Sequence, residues 1–238
     1  MRTTRAFMMS LLLAAFALPA AGWSPIGLSV GFSDSSSNKD RYSWSKEKVD
    51  IFGFPGRTDA VYGFRLNFFG GANNTMYGLA VALFGNGGYT RDSQKNFADG
   101  DIAGIEVACV QNVAETAHNG AWQLCALQNM LLDGGDIVQI AGFFNEIRGD
   151  STGMQLAGIE NKISASFEGV QLAGVYNRVD GELNGVQMGF FNSAGSLCGV
   201  QIGVVNYVER NFSGVQLGAL NIFSGSKAEI LPLLRAGF

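Results

Sequence analysis

The chain has 238 residues, of which 33 are Gly, 47% are hydrophobic and only 15% are charged, enough for one domain with a large buried interior and too apolar for a disordered chain. The formal net charge of −4 comes without a Lys/Arg cluster, which argues against nucleic acid or an anionic membrane as a partner. Glycine does not recur at every third position, which excludes collagen, and a lone histidine, His118, excludes a His-based metal cluster.

Residues 1–22 read as a secretory signal. Arg2 and Arg5 give a positive start, residues 6–18 form an apolar run too short to span a bilayer, and Ala20, Ala21 and Gly22 supply small residues for cleavage. Removing Arg2 and Arg5 from the 16 basic residues leaves 14 against 20 acidic ones, a net charge of about −6. Residues 23–60 alternate aromatic and polar character around a Ser-rich stretch and are expected to cap the N-terminal end.

From residue 61 to 225 the chain repeats. Degenerate units, VYGFRLNFFGG from Val61 and MYGLAVALFGN from Met76, precede a polar insertion over residues 86–101. Looser units follow, such as IVQIAGFFN from Ile137 and GMQLAGIEN from Gly153, and then the clearest ones, GVQLAGVYN from Gly169, GVQMGFFN from Gly185, GVQIGVVN from Gly199 and GVQLGALN from Gly214. Their closing asparagines are Asn112, Asn129, Asn145, Asn161, Asn177, Asn192, Asn206 and Asn221, spaced 17, 16, 16, 16, 15, 14 and 15 residues apart. Val, Ile, Phe and Tyr favour strands, and the Gly, Asn, Asp and Ser between them favour turns. A short fixed period of this kind predicts a repeat architecture.

Two all-β architectures place one strand-like segment in each unit: a β-solenoid of coils about 15–16 residues long, and an outer-membrane up-and-down β-barrel. The later units lack one residue between Gln and Asn. In a continuous barrel strand that loss turns every following side chain to the other face. At a corner between two short strands it only adjusts the corner, and Gly there is expected to supply positive φ. The solenoid is therefore the expected fold, with residues 226–238 as a C-terminal capping strand; a barrel is the alternative, with a membrane as its partner.

Stacked coils bring equivalent residues about 4.8 Å apart. The eight asparagines then form a hydrogen-bonded column, and the glutamines form a second one along a flat face. The residues flanking each Gln, such as Val170 with Leu172 and Val186 with Met188, form apolar columns whose burial between neighbours stabilises the stack. Cys109 and Cys125 stand one period apart, with two readings: a disulfide between adjacent coils, or two small apolar fillers.

The opening VYGFRLNFFGG, the run of GVQ-x-G-x-x-N units and the closing LPLLRAGF resemble the bacterial surface-repeat-containing proteins with Gly–apolar–Gln repeats. That resemblance implies a signal peptide and a place at or beyond the cell surface; it implies no activity, ligand or catalytic residue. The expectation is an exported, non-catalytic structural or interaction module with no catalytic residue, cofactor or metal. Surface glycan or protein are the partner classes left open, the regular polar columns being the feature a glycan would meet. An enzyme on such a fold needs clustered cations and carboxylates in a cleft, for which short coils leave little wall.

Overall fold

The structure, a computed structural model, describes residues 27–34, 47–50, 60–67, 75–83, 85–86, 99–225 and 228–237. The expected signal segment at 1–22 and most of the expected insertion lie outside the described residues. No helix occurs among the described residues. Extended segments instead stack in parallel, with Gln139, Gln155, Gln171, Gln187, Gln201 and Gln216 in one column of backbone partners. Asn112, Asn129, Asn145, Asn161, Asn177, Asn192 and Asn206 occupy another. This is a β-solenoid. The barrel alternative fails because staves joined by short turns must run antiparallel, whereas these neighbours are parallel.

One coil shows the plan. A front strand, Ser151–Ala157, meets a corner at Gly158 and Ile159. A rear strand, Glu160–Ile163, follows, and a turn over 164–166 leads to the next front strand, Phe167–Ala173. Later coils run turn and strands together, as in Tyr176–Met188, Phe191–Ile202 and Val205–Phe223. Both ends are closed by antiparallel strands. Gly27–Asp34 pairs with Glu47–Asp50 and with Ala60–Asn67 at one end, and Glu229–Gly237 covers Val205–Phe223 at the other. Each cap occupies the open hydrogen-bonding edge that a bare last coil would present.

The missing residue in the later units is lost at the corner. Leu172 pairs with Met188 before it and Tyr176 with Phe191 after it, so four steps in one coil match three in the next. Register on both strands is untouched. The reason for the corner glycines differs from the expected one. Positive φ belongs to the first glycine of the motif, as in Gly185 (φ 149°), while no corner glycine from Gly142 to Gly218 adopts it. The corner glycines serve close approach: a Cβ on Gly158 would lie on the carbonyl oxygen of Gly142.

Inside and outside are reversed relative to the expected packing of the front strand. Gln123, Gln139, Gln155, Gln171, Gln187, Gln201 and Gln216 are fully buried. The apolar columns beside them exist but point outward, with Leu156 37% exposed, Met188 45% and Leu217 42%. The conventional core lies elsewhere, under the rear strands and turns. Leu131, Ile147, Ile163 and Val179 stack there with Phe167, Leu183 and Leu197, each fully buried aliphatic or aromatic side chain contributing about 1.5–3 kcal/mol.

Gly185→Ala tests the stacking geometry. Its Cβ would fall on the carbonyl oxygen of Gly169, at a φ of 149°. The substitution is expected to cost roughly 1–3 kcal/mol from the backbone conformation alone, read as a lowered denaturation midpoint. Val186→Ala, outward and half-buried, is expected to stay close to the parent.

Candidate interaction face and its amide lining

Two amide ladders line the inside of each coil, glutamine on the front strand and asparagine just past the corner at the start of the rear strand. In the glutamine ladder every Nε2 donates to the Oε1 of the preceding coil. Gln139 donates to Gln123, Gln155 to Gln139 and Gln171 to Gln155, each at 2.8 Å. The asparagine ladder donates in the opposite direction, Asn129 to Asn145 at 3.0 Å and Asn145 to Asn161 at 2.9 Å. The second Nδ2 hydrogen binds a backbone carbonyl of the next coil's front strand, as in Asn145 to Leu156 O at 2.8 Å and Asn161 to Leu172 O at 2.8 Å. Each asparagine thus pins its own coil to the next one on both sides of the corner.

The ladder ends are chemically distinct. At the N-terminal end Gln123 Nε2 donates to the buried carboxylate of Glu106 at 3.0 Å. Glu106 departs from the Gln pattern in sequence, and a carboxylate, which only accepts, suits the end at which every amide donates. At the other end the backbone partner of Gln216 is Arg235 of the capping strand. Gln216 Oε1 and Arg235 Nη1 are both buried without a hydrogen-bond partner. The guanidinium lies 4.6 Å from the ring of Phe212 and 4.3 Å from that of Phe223, a cation–π contact with each ring. Its Nη2 donates to Glu229 Oε2 at 3.2 Å. A cation thus faces the acceptor end of the ladder and an anion its donor end.

Asn86 is a ladder residue that sequence reading placed at the start of the insertion. Its Nδ2 donates to Asn112 Oδ1 at 2.9 Å. The signal was present in sequence, because Asn86 closes the unit MYGLAVALFGN as the later asparagines close theirs.

Buried amides cannot present themselves to a glycan, so the polar columns expected on the outer face are not there. The outer face carries aliphatic and aromatic columns instead. Backbone partners align Leu79, Ile105, Trp122, Val138, Met154, Val170, Val186, Val200 and Val215 in one row of coils. A second column runs from Val81 to Leu217 through Leu156 and Met188, and the corners add Phe143, Val175, Phe190 and Leu220, 43–48% exposed. No Asp, Glu, Lys or Arg occurs in 121–129, 137–145, 153–159, 169–177, 185–192, 199–206 or 214–223. Among the described residues of these coils, outward charge lies on the rear strands, the turns and the first residues of the front strands, as in Arg148, Asp133 and Glu168. Monomeric proteins rarely expose a continuous apolar patch beyond a few hundred Å².

The remaining polar candidates are occupied locally. A shallow groove of about 350 Å³ on the turn side is lined by Asp136, Asp150, Thr152, Glu168 and Glu182. Thr152 donates to Asp136, and Asp150 accepts from the Ser166 amide at 2.8 Å. His118 sits where the register slips by two residues, since Ala117 pairs with Gly135 and Ala121 with Ile137. It is exposed, with Nε2 3.8 Å from Asp101. Cys109, Cys125 and Cys198 are free thiols. Register pairs Cys125 with Ala108, one position away from Cys109. Burial pushes the Cys125 thiol up, with weaker backbone hydrogen bonds acting against it. Comparison with protein-family models, with curated proteins and with solved structures found no match for this chain.

The inverted front strand predicts an inverted mutational response. Gln155→Met leaves Gln171 Nε2 without its acceptor and Gln139 Oε1 without its donor. At about 1–3 kcal/mol for each stranded buried group, it is expected to destabilise markedly in urea denaturation. The neighbouring apolar-to-polar change Leu156→Gln is expected to stay within about 0.5 kcal/mol. Thiol accessibility gives a second check. In the native state iodoacetamide is expected to label Cys109 and Cys198, both exposed. Cys125, buried and with its thiolate disfavoured, reacts only after unfolding, a difference read by mass spectrometry.

Proposed function

We propose that this chain is a non-catalytic, exported interaction module that works through the apolar outer face of its front strands. The observation that carries the reading is the segregation of chemistry around the coil. The outer front columns from the motif glycine to the corner are uncharged and aliphatic or aromatic, whereas outward charged side chains sit on the rear strands, the turns and the entry of the front strands, as at Asp136 and Glu168. A face that met only water would carry charges among its outward strand positions, as the rear strands do with Glu146, Lys162 and Arg178. Those rear positions also form ordinary surface pairs, such as Lys162 with Glu146 at 3.5 Å, worth little to stability.

Export is supported by the signal-like residues 1–22 and by the resemblance to bacterial surface-repeat proteins. In this reading the ladders are scaffold: they hold the coils in register so that outward residues recur at fixed spacing. The role is structural or adhesive, and the recognised feature is an apolar surface, not a displayed row of amides.

Cell fractionation tests this. The parent protein is expected in the envelope fraction or in large assemblies after export. A variant carrying Leu156→Glu, Leu172→Glu and Leu217→Glu is expected to shift to the soluble fraction with unchanged circular dichroism. Equal partitioning of parent and variant would overturn the role of the face, and recovery of the parent in the cytosol would overturn export.

A further inference from the structure

We infer that the apolar front face is covered by the same face of a second copy of this chain, in a two-fold dimer. The inference rests on the proposed role of that face and names its occupant. Three properties of the face point to it.

The first is size. Nine rows at ~4.8 Å make the face about 40 Å long, and the five-residue path from Val170 to the corner at Val175, with side chains, makes it about 20 Å wide. That footprint is on the order of the ~800 Å² per partner that a stable complex buries. The face is therefore large enough to hold two copies together without help from another surface.

The second is charge. From the motif glycine to the corner the front face has no charged residue with which to recognise a charged partner; Asp136 and Glu168 stand only at the entry of their strands. The turns and strand starts that flank it carry more acid than base, with Asp133, Asp136, Asp150, Glu168, Asp180, Glu182 and Glu209 against Arg148 and Arg210. An anionic lipid surface would be repelled by that rim. A second copy meets the uncharged part of the face without burying a charge, and the acidic rims stay in water at its border.

The third is periodicity. The outward columns repeat at the strand spacing, because the ladders fix every coil to the next. A fluid apolar surface gains nothing from such spacing. Another front face has the same spacing and packs against it as two sheets do, about 10 Å apart with interdigitating side chains. Two-fold symmetry satisfies this with one patch used twice and leaves no unpaired copy of it.

Sedimentation equilibrium of the purified protein, with and without neutral phosphatidylcholine vesicles, tests the inference. The parent is expected at twice the chain mass, and the Leu156→Glu, Leu172→Glu double variant at the chain mass with unchanged circular dichroism. Met188→Lys alone, at a 45% exposed position, is expected to raise the dimer dissociation constant at least tenfold. Ser164→Glu, in an exposed turn on the rear side, is expected to remain dimeric. A monomeric parent that binds vesicles, with binding lost in the face variants, would overturn the second copy as occupant and leave the face as the interaction surface. A monomeric parent that binds no vesicles and matches its variants in hydrophobic-dye binding would overturn both. A dimer that persists in every face variant would place the contact elsewhere and overturn the inference.

Discussion

A side-chain amide buried without a partner costs more than a hydrogen bond returns, and this fold buries two amides in nearly every coil. Each finds its side-chain partners in the equivalent amides of the neighbouring coils. That requirement sets register, because Gln155 reaches Gln139 and Gln171 only when the three front strands are aligned residue for residue. It also sets the glycines. Coils stacked this closely leave no room for a Cβ at the Gly158 corner, and at Gly185 the positive φ turns a Cβ onto the carbonyl oxygen of Gly169. The donor end follows from it too, with the Glu106 carboxylate where the ladder runs out of amide acceptors; at the other end Arg235 pairs with Gln216 through the backbone register without a side-chain bond to it.

The same requirement explains the reversal of the front face. A coil of this length encloses a narrow interior. The side around the corner is filled by glutamine, asparagine and small residues such as Ala141, Ala157 and Ala173, and the side around the turn by Ile147, Ile163, Phe167 and Leu183. With the front interior committed to amides, the alternation of a strand sends Val170 and Leu172 outward. The apolar exterior is thus a direct consequence of the polar interior, and each half of the cross-section has opposite chemistry inside and out.

Much of this was legible in the sequence. The spacing of Asn161, Asn177, Asn192 and Asn206 announces coils, and the residue lost between Gln171–Asn177 and Gln187–Asn192 announces a corner. The closing KAEILPLLRAGF announces a cap. Which side of the front strand faces inward was not legible from alternation alone, because Val-Gln-Leu places Gln opposite Val and Leu without saying which side is dry. The usual preference of apolar residues for the interior then gives the wrong side. The discriminating clues were weaker: Ala157 shares a face with Gln155, as a narrow interior demands, and the Val/Leu face lacks the charges of a wetted surface. The partnership of Gln216 with Arg235 was not legible at all, since it depends on a strand that returns antiparallel across the last coil.

The opposite directions of the two ladders have one more consequence. A column of aligned amides is a line of dipoles, and a single such column would build opposite potentials at its two ends, as an α-helix does. Here the glutamine line points its hydrogens toward the first coil and the asparagine line toward the last, so the two fields oppose one another within each coil. Adding or deleting a coil therefore changes the molecule's length in a fixed step without changing the electrostatics of its termini. Gene duplication or loss of a single unit can lengthen or shorten this protein while the Glu106 and Arg235 end pieces keep working unaltered.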